Sequence, residues 1–316
     1  MATKGTFDKD SKKMGELSLK RVALYLATAC LCIALFWAIS RKPRDVVTPN
    51  LPETSPPIPR QIQYSFTLQN KTNHLLKKAE FWTYAPVKQT STQLCDNIKS
   101  SHPYKLITDD LGNHVLHFTL NDFPPYATKI IQIKARVLLS DKPVTEAVRD
   151  IKPYLKAEKY IESDDPVLFN TAKKLTASSN LKTAENIFRW VVGNVRYAGY
   201  LSKERGALYA LSHKKGDCTE FMYLFTALCR AVKIPARCIG GYITKESSIL
   251  KPGYYHNWAQ FYEDGAWRIS DPQNKVFMKE NSNYIAIRII KRPQDNPMLQ
   301  FNRFRVQGEG LEVKMN

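Results

Sequence analysis

The hydrophobic pattern of this chain changes its period near residue 145. Before that point, apolar residues alternate with polar ones in short runs such as 62–68 and 131–139, which is typical of strands with one buried face. After it, apolar residues recur at helical spacing, as in the stripe formed by Ile187, Trp190, Val191 and Val195. The pattern therefore predicts an α+β protein, with an antiparallel β-domain over residues 60–140 and a helix-containing domain over residues 145–316.

The N-terminal region carries the pattern of a membrane anchor. Residues 22–39 are eighteen positions without a charge, about the minimum length of a membrane-spanning helix. The tail of residues 1–21 is basic, so the positive-inside rule places the N-terminus in the cytoplasm and the later domains outside it. Residues 40–59 form a proline-rich, semi-rigid linker. A cleaved signal peptide is the alternative, although the apolar run is long for one and no A-x-A site follows it.

The net charge limits the classes of partner, and the cysteine content bears on disulfide formation. The formal net charge of +18 favours anionic partners such as a membrane surface or an acidic substrate. The chain has no dense basic block with interleaved aromatic residues and no zinc-finger spacing, so we expect no nucleic-acid partner. Beyond the apolar run, four cysteines in a chain this long do not predict a disulfide framework, although Cys229 and Cys238 could pair in an oxidising compartment.

A cysteine begins the most apolar predicted helix. Residues 216–230 read GDCTEFMYLFTALCR, and one face of this helix contains Phe221, Leu224, Phe225, Leu228 and Val232. Cys218 lies on the same side in the first turn, where unpaired N–H groups and the helix dipole favour an anion. A thiolate there would be stabilised, and the same N–H groups could stabilise an oxyanion. The alternative is that Cys218 is a small buried hydrophobic residue.

A predicted hairpin supplies a histidine and an aspartate. Residues 255–273 read as strand, Asp264-Gly265 turn and strand. A two-residue turn places His256, Trp258, Asp271 and Gln273 on one face, with His256 and Asp271 as diagonal neighbours. This geometry depends on the register, and a slip of one residue would break it. Alone, His256 could be structural and Asp271 a cap before Pro272.

Taken together, these three residues predict an activated thiol nucleophile. In such a site, His256 takes the proton of Cys218, Asp271 fixes the tautomer of His256, and the sulfur attacks an acyl carbon. The chemistry needs no metal or other cofactor, and we expect none.

Three separated motifs resemble the transglutaminase-like superfamily, in its bacterial membrane-anchored type. They are GDCTEF at 216–221, HNW at 256–258 and WRISDP at 267–272. The resemblance covers roughly residues 150–290 and implies a papain-like core, with Cys218 as nucleophile, His256 as base and acid, and Asp271 as the orienting carboxylate. It also implies that the Cys218 N–H is one oxyanion donor. Trp258 and Trp190 are candidates for the second donor or the cleft wall, and core packing is the alternative for both.

The resemblance implies acyl transfer from a carboxamide or thioester donor to an amine or to water. Protein crosslinking, amide or peptide hydrolysis and peptide N-glycan cleavage are all compatible with it. Amide synthesis from carrier-protein thioesters, as in antibiotic biosynthesis, is an alternative that requires a cytoplasmic catalytic domain. Two further alternatives are a non-catalytic, membrane-tethered binding module and a structural protein whose basic surface binds acidic polymers or lipids. Residues 247–255, just before His256, are predicted to border the cleft.

Overall fold

The computed structural model describes residues 57–201, 203–291 and 301–316. The basic tail 1–21 and the predicted membrane span 22–39 lie outside these residues. Within the described residues, no helix is both long enough and apolar enough to cross a bilayer. The architecture is mixed α and β, as the change of period predicts.

Seven strands form the first part of the described chain. They are β1 (Ile58–Asn70), β2 (Leu76–Ala85), β3 (Gln89–Thr90), β4 (Gln93–Ser100), β5 (Lys105–Thr108), β6 (His114–Phe123) and β7 (Thr128–Leu139). In β1 every second residue from Ile62 to Asn70 is buried, which is the pattern of a strand with one face on a core. The intervening side chains face outwards.

Helices and short strands follow. The helices are α1 (Pro166–Lys173), α2 (Asn180–Asn194), α3 (Ala207–His213) and α4 (Cys218–Ala231). The strands are β8 (Arg196–Tyr197), β9 (Lys215–Gly216), β10 (Ala236–Ile243), β11 (Ser248–Ile249), β12 (Tyr255–Glu263), β13 (Ala266–Asp271), β14 (Val276–Phe277), β15 (Tyr284–Ile290), β16 (Phe304–Gln307) and β17 (Leu311–Met315). Short 3-10 turns lie at Lys152–Leu155, Pro252–Tyr254 and Asn281–Asn283.

Two of the sheets form a sandwich. One has the order β11-β1-β7-β4-β3, with β17 also on β1, and the other has the order β16-β2-β6-β5. Their inner faces share one apolar cluster, in which the rings of Phe66 on β1 and Phe81 on β2 lie 4.9 Å apart. Strands β16 and β17, from the C-terminal end of the chain, complete both sheets. The sequence pattern did not predict that the C-terminal strands return to the sandwich. The predicted domain boundaries remain a prediction.

The third sheet carries the predicted hairpin and packs against the helices. Its order is β14-β13-β12-β10-β15, with antiparallel neighbours throughout. Helix α4 contacts the other three helices as well as β10 and β12. Every residue of α4 from Glu220 to Ala231 is buried. Because neighbouring helices and strands enclose α4, their packing fixes its position. The residue at its first turn is therefore held firmly against the sheet.

A buried cation links this helix to the segment before α1. The Arg230 side chain is 1% exposed and its guanidinium donates to Glu158 Oε1 at 2.8 Å. It also donates to the backbone oxygens of Lys156 at 2.7 Å and Ala236 at 2.9 Å. These oxygens replace the water molecules that the guanidinium loses on burial. A buried charge is tolerated when it is paired and hydrogen-bonded in this way.

Arg230→Ala is therefore expected to lower the free energy of unfolding by about 3–5 kcal/mol, because it removes the charge that compensates Glu158 in the interior. Arg189→Ala is the matched control, since Arg189 pairs with Glu185 on the surface of α2 and its side chain is 70% exposed. The control should change the free energy by less than about 0.5 kcal/mol. Denaturant titration followed by circular dichroism measures both. Equal effects of the two substitutions would contradict this account.

Candidate active site

The start of α4 is fixed by two carboxylates. Asp217 caps the helix by accepting from the Thr219 N–H at 2.8 Å, and Glu220 Oε2 accepts from the Asp217 N–H at 3.1 Å. This reciprocal arrangement is a capping box. Cys218 is consequently the first residue of the helix, where the backbone N–H has no partner within the helix. The predicted helix start is confirmed, and the capping box is visible in the spacing of Asp217 and Glu220.

The same carboxylates also hold the loop before α3. Asp217 Oδ2 accepts from the Leu201 N–H and Glu220 Oε1 accepts from the Arg205 N–H, each at 3.0 Å. Glu220 is fully buried, and burial raises its pKa to about 7, with the Asp217 carboxylate adding to the effect. A Cβ on Gly216 would clash with the side chain of Glu220, so the glycine before Asp217 is required by close packing.

The hairpin has the predicted register. Glu263 pairs with Ala266 across the Asp264-Gly265 turn, and the pairing continues to Ala259 with Ser270. Beyond that point Asp271 pairs with Val276 of β14. The His256 and Asp271 side chains meet at this open end of the hairpin, where His256 Nε2 lies 2.7 Å from Asp271 Oδ2.

Two residues beyond the predicted set orient the aspartate. Asn274 Nδ2 donates to Asp271 Oδ2 at 2.8 Å, and the Tyr284 hydroxyl donates to the same oxygen at 3.0 Å. The Asn274 backbone N–H donates to the other oxygen at 3.2 Å. Burial and the neighbouring Asp271 raise the pKa of Tyr284, so its hydroxyl stays protonated and remains a donor. The Asp271 side chain is only 1% exposed, and these bonds fix its position.

The electrostatics favour a protonated imidazole. Burial alone would lower the pKa of His256, but hydrogen bonds to Asp271 and Cys218, together with their charges, raise it to about 9. Because Asp271 contacts Nε2, the other ring nitrogen, Nδ1, is the one left for Cys218. The arrangement therefore places a protonated imidazole beside the sulfur of Cys218. A His residue in this state can both stabilise a nucleophilic sulfur and donate a proton.

Asn257 brings an amide to the sulfur from another direction. Its Nδ2 donates to the Thr219 hydroxyl at 2.9 Å and lies 3.7 Å from Cys218 Sγ. The hydrogen bond to Thr219 aims the amide at the first turn of α4. The HNW motif contains Asn257, but no role was predicted for it. Alternation along the strand places it on the face opposite to His256.

The two tryptophan candidates occupy different places. Trp258 is 1% exposed, and its ring stacks at 17° to that of His256 with centroids 6.5 Å apart. It supports the imidazole from the core. Trp190 is partly buried against the helical core, with the Lys214 ammonium 4.3 Å from its ring centre. Among the described contacts, none joins Trp190 to Cys218, and its predicted place in the cleft remains a prediction.

The remaining described cysteines have a different environment. Cys95, Cys229 and Cys238 are all free thiols, so the pair left open by the sequence is not a disulfide in this structure. Burial raises the pKa of Cys95 and of Cys238 to about 12, and it also raises the pKa of Cys229. These thiols are therefore poor nucleophiles at neutral pH. Cys218 is partly exposed at the helix start.

Some of the site could not be found from local sequence patterns. Asn274 follows Asp271 by three residues, a spacing over which an aspartate side chain can accept from a later backbone N–H, so a local signal existed for it. Tyr284 begins β15, outside the hairpin, and no short motif connects it to Asp271. Its role depends on how the third sheet folds.

Residues 169–272 match the family model of the core of the transglutaminase-like superfamily, and the match includes Cys218, His256 and Asp271. A search of curated proteins found no match.

Two solved structures align with this chain. One is a protein from Cytophaga hutchinsonii, described provisionally as a cysteine protease, with 20% identity over 83% of this chain and 91% of its own, at a TM-score of 0.58. The periplasmic domain of TgpA from Pseudomonas aeruginosa aligns over 67% of this chain and 90% of its own at 13% identity, with a TM-score of 0.37. The first similarity supports a shared fold. The family match covers residues 169–272 of this chain, and the remaining residues lie outside it.

Proposed function

We propose that this protein is a cysteine-dependent acyltransferase that uses Cys218, His256 and Asp271. The observation that carries the proposal is the 2.7 Å contact of His256 with the buried Asp271, combined with the interaction of the same imidazole with the thiol at the start of α4. A structural histidine needs one satisfied hydrogen bond. This one is supported on one side by a carboxylate with three other donors and faces a partly exposed sulfur on the other.

The first step is acylation of the thiol. The Cys218 thiolate attacks the carbonyl carbon of a carboxamide or thioester, forming the C–S bond and placing the electron pair on the carbonyl oxygen. The Cys218 backbone N–H stabilises this oxyanion at the positive end of the helix dipole. The Asn257 amide is our candidate for the second donor. Collapse breaks the bond to the leaving group, and the His256 imidazolium protonates the departing amine or thiolate, which leaves His256 neutral.

The second step releases the acyl group. An amine or a water molecule attacks the thioester, and neutral His256 takes the proton that the attacking group loses. Attack by an amine forms an amide, and attack by water forms a carboxylic acid. Either route regenerates the thiolate–imidazolium pair. The donor is therefore a peptide or protein carboxamide or a carrier-bound thioester, and the favoured acceptor is a primary amine.

The predicted topology bears on the choice of donor. If residues 22–39 span a membrane with the N-terminus in the cytoplasm, the acyltransferase faces outside, where peptide and protein carboxamides are accessible. Carrier-protein thioesters of antibiotic biosynthesis would require the opposite orientation. A non-catalytic binding module would not need a thiol, an imidazole and a carboxylate held in one hydrogen-bonded arrangement.

Incubation with 4-nitrophenyl acetate is expected to place one acetyl group on Cys218. The full chain should release nitrophenol in a burst, and peptide mass should assign the acetyl group to this residue. Cys218→Ala should lose the burst, whereas Cys95→Ala is the matched control and should retain it. A burst that survives in Cys218→Ala, or none in the native chain, would overturn the proposal. Adding a primary amine separates transfer, which yields the acetamide, from hydrolysis, which yields acetate.

The pH dependence of acylation should depend on the leaving group. Because the pKa of His256 is raised to about 9, the imidazolium persists up to that pH and is lost above it. Acylation by 4-nitroacetanilide needs this proton and should fall roughly tenfold per pH unit above about 9. Acylation by 4-nitrophenyl acetate releases a nitrophenolate that needs no proton, so it should stay level.

His256→Ala should slow acylation by the anilide by about 10²-fold or more at neutral pH. Acylation rates from intact mass provide the measurement for both donors. An alkaline decline of the same size for both donors would contradict proton donation by His256.

A further inference from the structure

The β-sandwich has a large concave surface whose lining includes none of the residues of the candidate active site. A cavity of about 530 Å³ lies on the outer face of the sheet that contains β1, β4, β7 and β11. This volume is in the range of ordinary ligand pockets. We call this surface the sheet groove, and it is lined by Gln61, Ile62, Gln63, Asn97, Lys99, Lys134, Ala135, Arg136, Ser247, Ser248 and Ile249.

Three cations are concentrated in the sheet groove. Lys99 on β4 and Lys134 on β7 are directly opposed in the strand register, and Arg136 lies two residues further along the same face. Like charges in opposed positions destabilise a sheet. Arg136 pairs with Asp96 at 3.2 Å, but none of the described acidic residues pairs with either lysine. A bound anion would relieve the repulsion between the lysines.

Neutral amide side chains lie beside these cations on the same face of the sheet. Gln63 is the register partner of Lys134, and Gln61 and Asn97 are both partners of Arg136. Each primary amide offers two donors and an acceptor, which suits a ligand rich in hydroxyl groups. The Ser247 hydroxyl, which accepts from the Gln61 N–H at 3.0 Å, adds a further polar group at the wall of the groove.

Strand pairing and composition argue against two other polymers. An extended peptide binds a sheet by adding to a free edge. Strands β1 and β7, which contribute most of the residues of the sheet groove, are paired on both sides there and offer no such edge. Single-stranded nucleic acids need aromatic side chains on which bases stack. The residues lining the sheet groove include no aromatic side chain.

We propose that the sheet groove binds an acidic oligosaccharide. Its carboxylates lie against Lys99, Lys134 and Arg136, and its hydroxyl groups bond to the amides of Gln61, Gln63 and Asn97. Four neighbouring strands give the groove a width of roughly 14 Å, enough for several sugar units. The site is separate from the proposed acyl transfer and does not depend on it. Residues 247–249, which line the groove, lie in the segment that precedes His256 in the chain.

The test is calorimetric titration of the full chain with tetragalacturonate. We expect saturable binding that weakens with salt, and no binding of the neutral maltotetraose. The double variant Lys99→Gln/Lys134→Gln should lose about tenfold or more in affinity. Its matched control is Lys77→Gln/Lys105→Gln, which removes two exposed lysines from the other sheet and should change affinity less than about twofold. Cys218→Ala should bind as the native chain does.

A second pair of measurements separates a saccharide site from a general attraction of charge. Tetraglutamate, with comparable charge but no hydroxyl groups, should bind more weakly than tetragalacturonate. Gln63→Ala should weaken the saccharide by about threefold and leave tetraglutamate unchanged. Absence of tetragalacturonate binding, equal losses in the two lysine variants, or equal affinity for the two tetramers would each overturn the proposal. Circular dichroism of every variant verifies that the fold is retained.

Discussion

The reciprocal capping of α4 by Asp217 and Glu220 is the constraint on which the rest of the site depends. It ends the loop that precedes the helix and sets Cys218 as the first helical residue. The enclosed helix then fixes the thiol against the end of β12. Glu220 accepts from the Asp217 N–H within the protein interior, where burial raises the pKa of Glu220 to about 7. A titratable group therefore lies in the first turn of the helix that Cys218 begins.

The imidazole side of the site is built by the third sheet. The β12–β13 register brings His256 to Asp271, while Tyr284 on β15 and the turn residue Asn274 hold the carboxylate. Trp258 supports the ring from below. Positioning therefore comes from strands and one buried helix rather than from long loops, which is the arrangement that holds reacting groups most firmly.

The sequence predicted only features that depend on residues close together in the chain. The start of α4 and the hairpin register depend on local patterns, namely a cap, an apolar face and an Asp-Gly turn, and both were predicted. The roles of Tyr284 and Asn257, and the return of β16 and β17 to the sandwich, depend on packing between distant segments. The sheet groove is similar, since Lys99 and Lys134 become neighbours only when β4 and β7 pair. The hydrophobic pattern of a single segment carries no information about such contacts.

The most direct test is the rate at which iodoacetamide alkylates Cys218 as a function of pH, in the native chain and in His256→Ala. Peptide mass distinguishes this thiol from the other cysteines. We predict that alkylation at neutral pH is fast in the native chain and slower by about tenfold or more in the variant, because His256 takes the proton of the thiol. Slow alkylation that is the same in both proteins would mean that Cys218 is a structural cysteine, and the proposed acyl transfer would be wrong.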